Sequence, residues 1–243
     1  MDDRGGQTAV SYYRAHVTKG EELRYISHLD YASLMQRAIC RAKLPAVYSE
    51  GFNPHMKLSF ASALAVGVTS EAEYMDIELT KPLEPQIIIS RLNRKLPQGA
   101  RVISVVALPR RPKALMASVD EASYEIVVPF LPSGKDFLTA IHDFHASDRC
   151  IYTRKTPKTT REIDLCQYVL GRIRAEEMPD RKLKLSFSVR IAPQGSVKPQ
   201  EVLSALCTSF ALPVAEKEAL IHRKALLAHG LPLDSDEFLK TGA

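Results

Sequence analysis

The chain has 243 residues, of which 45% are hydrophobic, 25% charged and 7% aromatic. These values lie near globular averages and exclude a fibrous or wholly disordered protein. Lys and Arg number 33 against 28 Asp and Glu, a formal net charge of +5, and the length predicts two small domains or one large one.

Residues 12–18 alternate and predict a strand, 19–22 a turn and 23–26 a short extended piece. Ser27 has the character of an N-cap, with Asp30 completing a capping box. A helix follows over 28–43, with Tyr31, Leu34, Met35, Ala38, Ile39 and Ala42 at three-and-four spacing as its buried stripe. Leu44-Pro45 stops it. A loop over 49–55 leads to strands over 57–61 and 74–79, then a helix over 85–96 and a strand over 101–108. The order βα-ββ-αβ predicts a ferredoxin-like domain over 8–109.

Pro109-Arg110-Arg111-Pro112-Lys113 opens a basic linker, assigned to 110–118. The pattern then restarts. It gives a strand over 124–129 and a helix over 135–146 with Phe137, Leu138, Ile141 and Phe144 on one side. Strands follow over 151–156 and 163–173, the second bent at Gly171. An alternating strand over 183–191, a helix over 199–210 and a strand over 220–227 complete it. The expected fold class is α+β: two ferredoxin-like α/β-sandwich domains in tandem, the second (119–243) with an extra strand.

Residues 1–116 hold 16 Lys/Arg against 11 Asp/Glu. No acid occurs over 85–119, where Arg91, Arg94, Lys95, Arg101, Arg110, Arg111 and Lys113 give +7. A second acid-free stretch, 149–161, contains Arg154, Lys155 and Lys158. Such stretches attract polyanions, or form a solvated face and a basic linker. For nucleic-acid contact the candidates are Arg91, Arg94, Lys95, Arg110, Arg111 and Lys113. Tyr12, Tyr13, Tyr25, Phe52 and Phe60 could supply stacking faces.

The four cysteines, Cys40, Cys150, Cys166 and Cys207, have no C-x2-C spacing. They read as buried thiols rather than metal ligands or disulfides, and no metal or cofactor is expected. Motifs for dinucleotides, the P-loop and the nucleophile elbow are absent. No apolar run approaches the roughly 18 residues that span a bilayer. The start, Met1 to Gln7, is polar and has neither a secretory nor a transit-peptide pattern. A cytoplasmic protein without a membrane partner is the expectation.

One region is richer in polar chemistry than a core needs. Asp30, Ser33, Arg37 and Arg41 share a helix face opposite the apolar stripe. Two arginines and a helix start at His28 suit a phosphate or carboxylate. Gly51 and Asn53-Pro54 allow a tight loop close to a ligand, and His55 and Lys57 follow it. The substrate-binding candidates are His28, Asp30, Arg37, Arg41, Phe52, Asn53, His55 and Lys57. Each has a plainer alternative: Asp30 as Ser27's capping partner, the arginines as a solvated face, Phe52 as core.

The string L-R-Y-I-S-H-L-D at 23–30, then Q-R-A-x-x-R-A-x-L-P at 36–45 and Y-S-E-G-F-N-P-H-x-K-L-S-F-A at 48–61, resembles the radical SAM-associated (radical SAM-linked) bacterial family of unknown function. The resemblance is specific over 13–79 and looser to 108. It departs from the usual pattern at Met56, Ala63 and Ala65, where proline is usual. It implies a radical SAM protein as partner, and gene neighbours such as ribonuclease G and ribosomal proteins imply RNA or ribosome business. The chain lacks the C-x3-C-x2-C of a radical SAM enzyme. Two readings follow. The first is an accessory module holding RNA or a ribosomal substrate for a separate radical SAM partner, with no DNA expected. The second is an RNA-modifying or RNA-cleaving enzyme, with Asp30 as nucleophile or His28 and His55 as an acid–base pair.

Overall fold

The computed structural model describes residues 10–131, 136–157, 159–193 and 195–240. The polar start, Lys135 and Lys158 lie outside them. The fold is α+β. The chain divides into two compact units, one built from residues up to 119 together with those from 228 onward, the other from 120–227. Among the described residues no helix is long and apolar enough to cross a membrane.

The first unit contains β1 (Ser11–Lys19), α1 (His28–Arg41), β2 (Leu58–Phe60), β3 (Val68–Leu79), α2 (Pro85–Asn93), β4 (Ala100–Leu108) and α3 (Leu115–Ser118). Its strands pair antiparallel in the order β2-β3-β1-β4. Alternation sends Tyr13, Ala15 and Val17 of β1, with Met75, Ile77 and Leu79 of β3, to one face. There they pack on Tyr31, Met35, Ala38 and Ile39 of α1 and on Ile88 and Leu92 of α2. Each such aliphatic burial stabilises by about 1.5–3 kcal/mol.

The expected extended piece before α1 is instead a 3-10 turn, Glu21–Leu23, running into further turns. The Lys19 ammonium is its cause. Buried at the end of β1, it donates to the carbonyls of Arg24, Ile26 and Val68 at 3.1, 3.0 and 3.2 Å. Two carbonyls only two residues apart converge on one cation only if the chain curls round it. Arg24 is also buried, with donors to both oxygens of Glu21 and to the Gly67 carbonyl. The curl delivers Ser27 as N-cap. Its hydroxyl accepts from the Asp30 amide at 3.1 Å and donates to the Asp30 carboxylate at 2.6 Å.

The opposite face of this sheet carries a polar row. Arg14 is fully buried and holds Asp76 through two bonds, at 2.8 and 3.0 Å. It also donates to the Leu233 carbonyl at 3.0 Å and lies 5.7 Å from the Phe238 ring centre. Next along β1, His16 stacks on Tyr74 with ring centres 4.7 Å apart. Its Nε2 lies 2.7 Å from the Glu71 carbonyl, and its Nδ1 3.6 Å from Asp234. Ser104 and Tyr74 donate to Asp234 at 2.5 and 3.2 Å.

Acceptors against both ring nitrogens favour the imidazolium. Burial pulls the His16 pKa down, but its bonds to Asp234 and the Glu71 carbonyl raise it above the ordinary 6.5. For Asp234, burial pushes up, and the bonds from His16 and Ser104 outweigh it, leaving about 2 against an ordinary 3.8. The Asp234 contribution to stability is present above 3.8 and fades as pH falls toward 2. The His16 contribution is complete below 6.5 and fades as pH rises through its raised value. Urea midpoints of the wild type and Asp234→Asn should differ most between these limits, and the gap should narrow on both sides.

The second unit contains β5 (Glu121–Pro129), α4 (Phe137–Ala146), β6 (Ile151–Lys155), β7 (Thr160–Asp164), β8 (Val169–Met178), β9 (Lys182–Ala192), β10 (Gly195–Ser196), α5 (Pro199–Phe210) and β11 (Leu220–Ala228). β9 pairs with β5 and β5 with β11, while β8 and β10 pair with β9, all antiparallel. The expected strand over 163–173 is broken. Asp164 caps a 3-10 turn at Leu165–Gln167, its carboxylate accepting from the Cys166 amide. The segment expected at 151–156 does not join the main sheet, because β6 and β7 form a separate two-stranded hairpin. Leu138, expected on one side of α4 with Phe137, Ile141 and Phe144, is exposed. The buried face is Ala140, Ile141 and Phe144, with Phe144 packing edge-on against Phe210 of α5 at 5.6 Å.

Candidate functional site

After α1 the chain doubles back beside the helix it has just left. Lys43 takes a left-handed φ of 52°, and the Leu44 amide returns to the Ile39 carbonyl. Tyr48 and Met56 then bridge antiparallel. The Ser49 amide donates to the His55 carbonyl at 2.8 Å, and the His55 amide to the Ser49 hydroxyl at 2.9 Å. Residues 50–54 are thereby pinched into a small loop. Gly51 holds φ +114°, a region that L side chains rarely adopt. Phe52 stands fully exposed, and Asn53 is exposed beside it.

Between this loop and α1 lies a cavity of about 490 Å³, lined by Gln36, Arg37, Cys40, Arg41, Tyr48, Pro54, His55 and Met56. None of these residues is acidic. Arg37 and Arg41 are one helical turn apart, a like-charge pair that costs a few tenths of a kcal/mol in isolation. Arg37 makes no ion pair among the described residues. Arg41 donates to the Lys95 carbonyl at 3.3 Å, which places the end of α1 against the end of α2. Arg91, Arg94 and Lys95, all exposed, lie at that end.

Cys40 corrects the expectation of buried thiols. It is exposed, with Sγ 3.5 Å from the Tyr48 hydroxyl. Only Cys150 is buried, and Cys166 and Cys207 are half-buried. The Cys40 contact, ahead of burial, raises the Tyr48 pKa.

A second cavity of about 540 Å³ lies on the polar face of the sheet, and its lining includes Tyr12, Lys57, Ser59, Asp76, Glu78, Arg111 and Lys113. Its charges are largely balanced within the protein. Lys57 lies 3.6 Å and Arg111 4.0 Å from Glu78. Arg110 is exposed on the same segment. In the second unit, Arg154 is bidentate to Glu201 at 2.6 Å and 2.6 Å, so the second acid-free stretch spends this cation internally.

The sequence candidates therefore fall into separate groups. Arg37, Arg41 and His55 line one cavity, and Lys57, Arg111 and Lys113 another. Asp30 is engaged by Ser27, and His28 packs edge-on against Phe60 with ring centres 5.3 Å apart. Cys40 and Tyr48 were not candidates. Tyr48 lies outside the helix, and only the return of the chain places it beside Cys40. Among the described residues no three His, Cys, Asp or Glu side chains group as metal ligands would.

No curated protein matches the chain. Among solved structures, the crystal structure of a Cbf5-Nop10-Gar1 complex is similar with a TM-score of 0.48 and 8% identity, over 90% of this chain and 49% of that one. The archaeal box H/ACA sRNP Nop10-Cbf5 complex gives 0.40 and 9%, over 89% and 47%. The chain thus spans about half the length of these structures, and at this distance the likeness says nothing about activity. The sequence profile of DUF2344, described as an uncharacterized protein conserved in bacteria, matches residues 12–199, and the chain belongs to that family.

Proposed function

We propose that this protein is a non-catalytic accessory module that binds RNA through the α1 side of its first unit. The observation that carries the reading is the acid-free lining of the α1 cavity. Arg37, Arg41 and His55 surround it, and Arg41 continues the positive surface to Lys95, Arg94 and Arg91. Unneutralised cations on one face are what a phosphate backbone needs, because each contact releases condensed counterions. The cavity beside Glu78 is the weaker candidate, since its lysine and arginine already have a carboxylate partner.

The ferredoxin-like reading of both halves draws support from strand order. β4-β1-β3-β2 in the first unit is repeated as β11-β5-β9-β8 in the second, with the β6–β7 hairpin as an insertion. A radical SAM protein as recipient of the bound RNA rests on the motif resemblance alone. Filter binding with mixed-sequence RNA tests the central point. Micromolar retention at roughly 50 mM salt, falling by an order of magnitude or more by roughly 200 mM, is expected. Absence of retention at the lower salt would refute the proposal.

A further inference from the structure

We infer that the α1 cavity takes one unpaired nucleotide of a single-stranded RNA, with its two flanking phosphates on Arg37 and Arg41. The inference rests on the RNA reading above and names its substrate class. Three features of the cavity carry it. Its volume of about 490 Å³ lies within the roughly 300–1,000 Å³ of pockets that enclose small organic ligands. A duplex presents its phosphates on a convex rim, so it could touch the arginines without filling such a recess.

The walls are also divided by chemistry. Tyr48 and His55 offer flat rings and Met56 an apolar floor, while the two guanidiniums share one edge one helical turn apart. A nucleotide has a base whose π-face suits the rings and a phosphate that suits the arginines; an acidic peptide offers carboxylates to the arginines but no π-face to the rings. Stacking on an aromatic ring requires the base to be out of its helix. Finally, the Ser49–His55 pinch fixes the His55 backbone at the rim before any ligand arrives. Phe52, exposed at the loop tip, is placed to meet a neighbouring base of the same strand.

Fluorescence anisotropy with a labelled RNA of about ten nucleotides, alone and annealed to its complement, tests this. The wild type should bind the single strand about tenfold more tightly than the duplex. Tyr48→Ala should lose about tenfold on the single strand and leave duplex binding unchanged, whereas Tyr48→Phe, which keeps the ring, should retain both. Equal wild-type affinity for the two RNAs overturns the inference while leaving RNA binding intact. So does an unaffected Tyr48→Ala, or a poly-glutamate peptide that competes as well as the oligonucleotide. Failure to bind either RNA overturns the proposed function itself.

Discussion

Replacing Asp76 with alanine should destabilise the protein by about 3–5 kcal/mol, read as a lowered urea midpoint. The cause is the cation left behind. Arg14 is fully buried, and without Asp76 its guanidinium would keep the Leu233 carbonyl and the Phe238 ring as neighbours. Neither neutralises a charge held away from water. Burial raises the Asp76 pKa and Arg14 only partly offsets this, so the carboxylate is itself costly to keep ionised there. The pair is thus held together by the expense of separating it, not by a large net gain. A joint Arg14→Met, Asp76→Leu replacement should recover most of the loss, because apolar residues of similar size incur no desolvation penalty. If Asp76→Ala unfolds near the wild-type midpoint, the buried pair is not organising this face.

Reversing Arg37 and Arg41 to glutamate should weaken RNA binding more than tenfold at roughly 50 mM salt, since two phosphate contacts become two repulsions. Both side chains are exposed, so stability should change by only about 0.5 kcal/mol. Arg110→Glu with Arg111→Glu should matter less. Arg111 already lies against Glu78, and neither residue lines the α1 cavity. Equal losses in the two variants would point to a diffuse positive field in place of a localised site.

Much of the fold can be read where local pattern and tertiary demand agree. The apolar stripe of α1, the Ser27–Asp30 cap, the alternation of β9 and the bounds of α5 are all apparent in the residues. β3 is legible only in its second half. Its beginning, Val68–Glu73, includes Thr69, Ser70 and Glu73, which lack an apolar signature yet are buried. Arg14 and His16 fall on the side of a strand that alternation assigns to water. The burial of Arg14 and the partial burial of His16 involve Leu233 and Asp234, more than two hundred residues away, and no local pattern encodes that return. Asp164 breaks the long strand expected over 163–173 through a side-chain cap that hydrophobic periodicity does not register.

The site divides in the same way. Arg37 and Arg41 share a face by helical period alone, and the Gly51–Pro54 stretch announces a tight loop. Which candidates meet depends on the direction of the return path. That path puts His55 beside Arg37 and sends Lys57, two residues on, to the cavity that contains Glu78. Cys40 and Tyr48 are joined by the same return.

The most direct measurement is the slope of log affinity against log salt for single-stranded RNA, compared between the wild type and the Arg37→Glu, Arg41→Glu variant. Each lost phosphate contact lowers the slope by about 0.7 for a single strand, so a reduction of about 1.4 is expected from the two arginines. An unchanged slope, with affinity also unchanged, would place the RNA elsewhere on the molecule and contradict the α1 interface.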